Sequence, residues 1–450
     1  MPHVTIIGGG FAGLAAGVAL AQRDIRVTVL EARPRLGGRA YSFADEASGT
    51  VVDNGQHALM GCYTQTLAFL ETIGAARKLM RQRNLRVEMA HVQHGAGAIA
   101  CAAVPTPLHL LTGILRYRLL SRAERWRAVW GGMQIMRMRR RRDPRLAEWT
   151  VARLLTVLRQ SANARTSFWY PLAVATLNES PKRAAAAPFA EVLARAFFGS
   201  RTDSQFVLPA VGLSELYVED ARAYLARRGG AVEVKAAVDM LCVADDRCAA
   251  VRLRDGRHVA TDAVISTVPP KALIGILPPA LMATGPLSRI AGFALSPIIS
   301  THLWFDRPVL AADFVGLLGS TTQWVFNRSK LTGCTNGDGQ QCVSAVISAG
   351  HDVVDWPTER IGDTVVADLR ALLPAARSAR LLRTVVVKEK QATISATPAS
   401  ERWRPPVPTA IDNFFLAGDW VDTGLPPTIE SAVASGARAA ALVAQRLGPQ

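Results

Sequence analysis

Gly8, Gly10 and Gly13 form a Gly-x-Gly-x-x-Gly run between an apolar stretch, 4–7, and a small-residue stretch, 14–22. A turn of this composition lets backbone approach a ligand closely. The helix that it opens turns a positive N-terminus toward a pyrophosphate. Glu31 closes the next apolar run, 27–30, at 18 residues beyond Gly13. Its carboxylate suits the hydroxyls of an adenosine ribose and disfavours a 2′-phosphate. The glycines alone are a weak signal. Strand, turn, helix and acid in register predict a dinucleotide site.

Further clusters carry polar or backbone-exposing groups. Arg33-x-Arg35-x-Gly37-Gly38-Arg39 follows Glu31 after Ala32, and its plain reading is a basic surface turn. Phe415-Leu416-Ala417-Gly418-Asp419 leads through Pro427-Thr428-Ile429-Glu430 into a helical run, plainly a strand, a turn and a helix with a capping Asp. Val52-Asp53-Asn54-Gly55-Gln56-His57 concentrates carboxylate, amide and imidazole groups, with Tyr63 close behind. A histidine there suits proton transfer near neutral pH. Its plain reading is a structural hydrogen bond to backbone. Glu179, in Leu177-Asn178-Glu179, is a second proton-carrying group, or else a surface or cap carboxylate.

The elements that must position these groups are legible in outline. Residues 4–7, 27–30 and 414–417 read as short buried strands, with 14–22 as the first crossover helix. After Gly229, runs at 231–234, 241–243, 249–253 and 263–267 read as strands between turn signals such as Asp255-Gly256. Residues 55–78 read as helix after an irregular start, and 146–200 as mostly helix. Helical spacing runs through 108–136, with a strand at 385–390 and helices at 357–373 and 428–447.

Together the three glycine-bearing motifs resemble those of the flavin amine oxidase and phytoene desaturase superfamily, over nearly the whole chain. The resemblance implies FAD as cofactor. Gly8, Gly10, Gly13, Glu31, Ala32, Arg33, Gly38 and Arg39 would hold its adenosine and pyrophosphate half. Gly418 and Asp419 would bind the ribityl chain. The helix starting near Thr428 and Ile429 would aim its positive end at the flavin pyrimidine edge, stabilising a reduced flavin. Val234 matches a backbone contact to adenine, and Thr267-Val268-Pro269 a strand end returning to the cofactor, with plain core equally open for both. The implied fold is α/β: a discontinuous Rossmann-like FAD-binding domain of GR2 type (1–58, 208–275 and 405–450) and a mixed α+β substrate domain (59–207 and 276–404).

The superfamily has a plain Asp-x-Gly where this chain has the polar 52–57 cluster. With residues 172–181 and Leu208-Pro209-x-x-Gly212-Leu213, that cluster resembles one branch, the bacterial hydroxysqualene dehydroxylases, or squalene-associated FAD-dependent desaturases. The branch implies reduction of hydroxysqualene to squalene for hopanoid synthesis. An allylic, cyclopropane-derived alcohol leaves as water once protonated, and the cation takes hydride from reduced flavin. His57 is the first candidate for the acid and Glu179 the second, with Asn54 beside them as a further polar group. Three other readings stay open. A carotenoid- or phytoene-type desaturase would run the flavin oxidatively and need fewer polar groups. A flavin amine oxidase would show an aromatic cage, yet 6% of residues are aromatic and only Trp420 stands near the C-terminal motif. A non-catalytic FAD-binding scaffold would bind flavin that resists reduction. No second Gly-x-Gly-x-x-Gly offers a nicotinamide site, so the sequence names no electron donor.

Composition bounds the partners. A 450-residue chain that is 49% hydrophobic and 20% charged buries a large core and is not disordered. Its net charge of +16 favours an anionic surface. Residues 116–145 hold eleven Arg against Glu124 and Asp143, with Trp126, Trp130, Met133 and Met136 among them. A basic amphipathic segment over about 108–145 reads as a membrane-surface contact, which suits a lipophilic isoprenoid substrate. An ordinary solvated helix face is the plain alternative. No nucleic-acid fold signature accompanies the charge. The start of the chain lacks a secretory pattern, and no 18-residue apolar stretch is free of charge or Pro. The expected place is the cytoplasm, peripheral on the inner membrane. The six cysteines show neither CxxC nor zinc-finger spacing, so reduced thiols and no metal are expected.

Overall fold

The computed structural model describes residues 2–46, 49–283, 285–334 and 339–448. Strand His3–Ile7 is apolar because it lies at the centre of a five-stranded sheet. Across that sheet run Ala231–Val234, Arg26–Glu31, His3–Ile7, Ala263–Ser266 and Phe414–Leu416, all pairings parallel. Parallel strands need crossovers, and helices then cover the sheet. Helix Phe11–Ala21 makes the first crossover and packs against helices Leu213–Arg227 and Ile429–Leu447. Its approach to the last helix is close: a Cβ at Gly436 would lie 2.3 Å from the Ala12 carbonyl oxygen. The arrangement is α/β and Rossmann-like, with strands drawn from the start, middle and end of the chain. An antiparallel sheet of Val238–Ala244, Arg247–Leu253 and His258–Ala260 is inserted between two of the parallel strands.

The rest is mixed α and β. Seven strands run in the order Leu381–Ile394, Leu295–Phe305, Gln341–Ser348, Trp324–Asn327, Phe314–Leu318, Arg86–His91 and Gly95–Ala100. All neighbours are antiparallel except Phe314–Leu318 with Arg86–His91. Every residue of Gln341–Ser348 is buried because both faces are covered. Val343, Ala345 and Ile347 cluster with Ile361, Val365 and Leu369 of helix Thr358–Leu372. Val346 belongs to a second cluster with Leu154, Leu155 and Phe189 of the helical layer.

Two expectations change in detail. The stretch 55–78 is helical only at Thr64–Thr72 and in a turn at Ala76–Lys78. Leu59–Met60 instead pairs with strand Phe206–Pro209, because Gly61 lets two backbones meet: its Cβ would lie 1.8 Å from the Thr202 carbonyl oxygen. The 108–136 spacing belongs to two helices, Leu108–Arg116 and Arg122–Arg140. Between them the Arg125 guanidinium donates to the carbonyls of Leu115 and Leu120, while Ser121 and Glu124 form a capping box on the second helix. Among the described residues no helix is long and apolar enough to cross a membrane.

Candidate active site at the junction of two cavity arms

A cavity of about 1180 Å³ begins at the glycine turns and ends among apolar side chains of the mixed half. Its first arm is made largely of backbone. Gly8, Gly37 and Gly38 have φ of 107°, 104° and 58°, in the left-handed region. A Cβ at Gly13 would lie 1.9 Å from the Gly8 carbonyl oxygen, so the first helix presses directly on the turn. The Gly37 N–H donates to the Gly9 carbonyl at 2.9 Å, and a Cβ at Gly38 would meet Gly10 Cα at 3.2 Å. The two turns thus form one bare cradle. Tyr217 supports it from below: its hydroxyl lies 2.9 and 3.0 Å from the carbonyls of Gly37 and Ala40, and its ring stacks on Phe11. The Glu31 carboxylate accepts from the N–H groups of Gly9 (2.8 Å) and Arg33 (2.9 Å) at the cavity wall, beside Ala32.

The C-terminal motif meets this cradle. The Arg39 guanidinium contacts the Asp419 carboxylate at 2.5 Å and donates to the Ala392 carbonyl at 2.9 Å. Buried Arg404 donates to the carbonyls of Asp419, Val421 and Leu425, which holds the loop that leads to Thr428. The Thr428 hydroxyl caps helix Ile429–Leu447 by accepting from the Ser431 N–H. Gly418, Asp419, Thr428 and Ile429 all line the cavity, as do Gly8, Gly10, Gly38 and Arg39. A side-chain-free cradle, a carboxylate at the ribose position and a helix N-terminus at the far end fit FAD.

Strand Thr50–Asp53 ends where the two arms meet. Asp53 is buried at 2% exposure and serves as a hub. One carboxylate oxygen accepts from the Ser42 hydroxyl (2.6 Å) and from the Leu213 N–H (2.9 Å) at the start of a helix. The other pairs with Arg328, itself 1% exposed. Arg328 also donates to the Gln56 side-chain oxygen at 3.3 Å. Buried His302 lies 2.9 Å from the Asp53 carbonyl oxygen and 2.7 Å from the Ser344 hydroxyl. Burial first, and the Arg328 charge second, push the His302 pKa down to about 4.

His57 lines the cavity beside this network. Burial lowers its pKa below 6.5, and the Asp53 charge opposes that shift. Asn54 also lines the cavity, but its side chain is engaged: it accepts from the Tyr41 N–H at 3.1 Å and donates to the Arg39 carbonyl at 2.9 Å. It therefore fixes the turn that carries Arg39.

The second arm is apolar, walled by Val87, Met89, Phe168, Leu172, Phe206, Phe314 and Trp324. It reaches Leu108, Met133 and Phe198, which also lie on the surface.

Two expected residues sit elsewhere. Glu179 is fully buried away from the cavity lining, bound by the Ser180 N–H and the Ser395 hydroxyl and close to Arg183 and His351. Its neighbour Asn178 ends a helix in the left-handed conformation, which turns Glu179 into the core rather than the cavity. Val234 is paired with Glu31 at the sheet edge and is 43% exposed. The lining is taken instead by Ala236, Ala237 and Val238, after the chain bends at Lys235 with φ 57°.

Residues absent from the motifs complete the site. Arg328 and His302 arrive from strands and a short helix of the mixed half, and Glu389, Ala392 and Thr393 from strand Leu381–Ile394. No local spacing marks them; only the fold brings Arg328 and His302 to Asp53 and the other three to the cavity wall. Trp420 is 1% exposed, its indole N–H donating to the Val268 carbonyl, so it forms core rather than an aromatic cage wall.

Comparison with known proteins agrees with this architecture. The family model described as flavin containing amine oxidoreductase matches residues 11–444. A hydroxysqualene dehydroxylase of Rhodopseudomonas palustris is 30% identical, covering 98% of each chain. A second, from Sinorhizobium fredii, is 28% identical, again covering 98% of each. The solved structure of cyclohexylamine oxidase from Brevibacterium oxydans shares the fold, with a TM-score of 0.69 at 17% identity over 99% of each chain. The glycine cradle joined to the Gly418–Asp419 turn and the match over nearly all of the chain lead to one assignment: the chain belongs to the flavin-containing amine oxidoreductase family and is an FAD-dependent oxidoreductase.

Proposed function

We propose that the protein reduces hydroxysqualene to squalene, as a step toward hopanoids. One observation carries the reading: a single cavity joins the cofactor cradle to a long apolar arm, and amide and imidazole groups are concentrated where the two meet. Its volume of about 1180 Å³ exceeds the roughly 300–1,000 Å³ of an ordinary ligand site, as shared occupancy by a dinucleotide and a large hydrocarbon requires. In the reaction a C–O bond breaks, the hydroxyl gains a proton and leaves as water, and a C–H bond forms with hydride. Bound reduced FAD supplies that hydride.

The chain's own residues hold and protonate the alcohol. The apolar arm takes the isoprenoid tail and excludes water. His57, at the junction, is placed to hand a proton to the hydroxyl. Because burial depresses its pKa, its charged form grows as pH falls below 6.5, so turnover rises with it. A phytoene-type desaturation would leave the Gln56–His57 pair without a task. An amine oxidase reading loses its candidate cage residue with Trp420 in the core.

A water-insoluble substrate is best collected from a bilayer. The reading places the mouth at Leu108, Met133 and Phe198 against the cytoplasmic face of the inner membrane. Trp126, Trp130 and Met133 recur at helical spacing and are 59%, 46% and 53% exposed, with exposed Arg122, Arg127 and Arg137 alongside. Replacing Trp126 and Trp130 by Ser should release the protein from anionic liposomes in a flotation assay; undiminished flotation would remove this helix from the membrane reading.

The deciding experiment is anaerobic incubation of dithionite-reduced protein with hydroxysqualene. Flavin reoxidation and squalene formation should rise together. Flavin that stays reduced, with no squalene, rejects the dehydroxylase reading. A His57→Gln variant should lose about 10²–10⁴-fold in the chemical step. Full turnover in that variant removes His57 as the acid.

A further inference from the structure

Gln56 lies at the junction with one face on the cavity and one on a buried cation. An amide side chain can present either its oxygen or its nitrogen, and neighbours decide which. Here the neighbour is Arg328, a group with donors and no acceptor, whose NH1 lies 3.3 Å from Gln56 Oε1. Arg328 cannot turn away without leaving Asp53 unpaired in the core, since the two are 1% and 2% exposed and ion-paired. The flipped amide would set N–H against N–H. Oε1 is therefore held on the guanidinium. Among the described residues the Nε2 group has only a long 3.5 Å contact to the His57 carbonyl, and it keeps donor capacity toward the cavity.

We propose that Gln56, oriented by the Asp53–Arg328 pair, is the residue that selects an alcohol over the corresponding hydrocarbon, by donating an N–H to the substrate hydroxyl oxygen. A donor at that oxygen also favours its departure as water. Arg328 and Asp53 act through Gln56 and are positioning residues. This inference rests on the dehydroxylase reading for its substrate, but it concerns discrimination in binding, which is separable from turnover.

The test uses oxidised holoenzyme, which lacks the hydride for turnover. Hydroxysqualene and squalene, which differ in the hydroxyl, are titrated and followed by the flavin absorbance change. Wild-type protein should bind the alcohol more tightly. In Gln56→Leu that preference should fall roughly tenfold, the worth of one buried hydrogen bond, with squalene affinity and flavin content unchanged. Gln56→Glu keeps a partner for Arg328 but offers no N–H, and should lose the preference equally. Preference retained in either variant, or equal weakening of both ligands, overturns the inference. So does a wild-type protein that binds the two alike. If the wild type prefers the alcohol, Gln56→Leu abolishes the preference, and reduced enzyme forms no squalene, then the dehydroxylase reading fails while Gln56 keeps its role.

Discussion

The cofactor arm and the substrate arm of the cavity are built by opposite means. The first is backbone held open by glycines whose missing side chains define its shape, at Gly8, Gly13, Gly37 and Gly38. The second is defined by the side chains that fill its wall, such as Phe168, Phe206 and Trp324, contributed by elements far apart in sequence. The junction follows a third rule. Its groups are oriented by a buried ion pair, Asp53–Arg328, that spans the two halves. Backbone recognition tolerates side-chain loss but not side-chain gain. A buried charge pair behaves the other way round: removing either member strands the other.

The largest effect should come from adding atoms to the cofactor arm. Gly13→Val would drive a side chain into the Gly8 carbonyl, where even a Cβ has only 1.9 Å. A backbone carbonyl cannot give way as a side chain can, so the loss exceeds that of ordinary core overpacking and displaces the turn itself. The purified variant should lack flavin absorbance. A variant that retains stoichiometric FAD would show that the cradle yields, and the contrast between the arms would fail at its strongest point.

Next comes removal of charge at the junction. Arg328→Met should destabilise the fold by about 3–5 kcal/mol, because the Asp53 carboxylate is left buried without its partner. Adding Asp53→Asn should recover part of that loss, since the stranded charge disappears. Thermal unfolding of the three variants checks both expectations. Losses that simply add in the double variant would mean that the pair does not couple.

The contrast also explains what was legible beforehand. A backbone cradle demands glycines at fixed offsets beside a strand and a helix, so Gly8–Gly13, Gly37–Gly38 and Gly418–Asp419 stand out in one dimension. The parallel sheet follows from the short apolar runs that flank them. Arg328, His302 and Thr393 carry no such mark, because a side chain that converges through tertiary packing is free to come from any register. Glu179 misled for the same reason. A carboxylate near a matched motif looked available, but the left-handed turn at Asn178 buries it among Arg183, His351 and Ser395. Val234 was displaced by a smaller cause, the bend at Lys235 that passes the wall to Ala236.

A buried histidine gives the junction a pH dependence of its own. The His302 pKa is about 4 in the folded protein, against about 6.5 when unfolded. Between those values the unfolded chain binds the extra proton, so stability is full above pH 6.5 and declines as pH falls toward 4. A shift of this size is worth about 3 kcal/mol in total. His302→Gln should flatten that limb in unfolding midpoints taken from pH 7 to pH 4. An unchanged acid limb would assign the loss to other groups.

The smallest effect should come from trimming a side chain in the cofactor arm. Thr428 lines the cavity, yet its hydroxyl serves the helix by accepting from the Ser431 N–H. Thr428→Ala should cost about 1 kcal/mol of stability, the usual worth of an N-cap. FAD should remain bound, because the N-terminal N–H groups of helix Ile429–Leu447 keep their direction through tertiary packing against Phe11–Ala21. Flavin content and unfolding midpoint separate the two outcomes. Lost stability with retained flavin is what backbone recognition requires. Lost flavin with unchanged stability would mean that the hydroxyl itself is a ligand, and that the flavin end relies on a side chain as the ribose end does on Glu31.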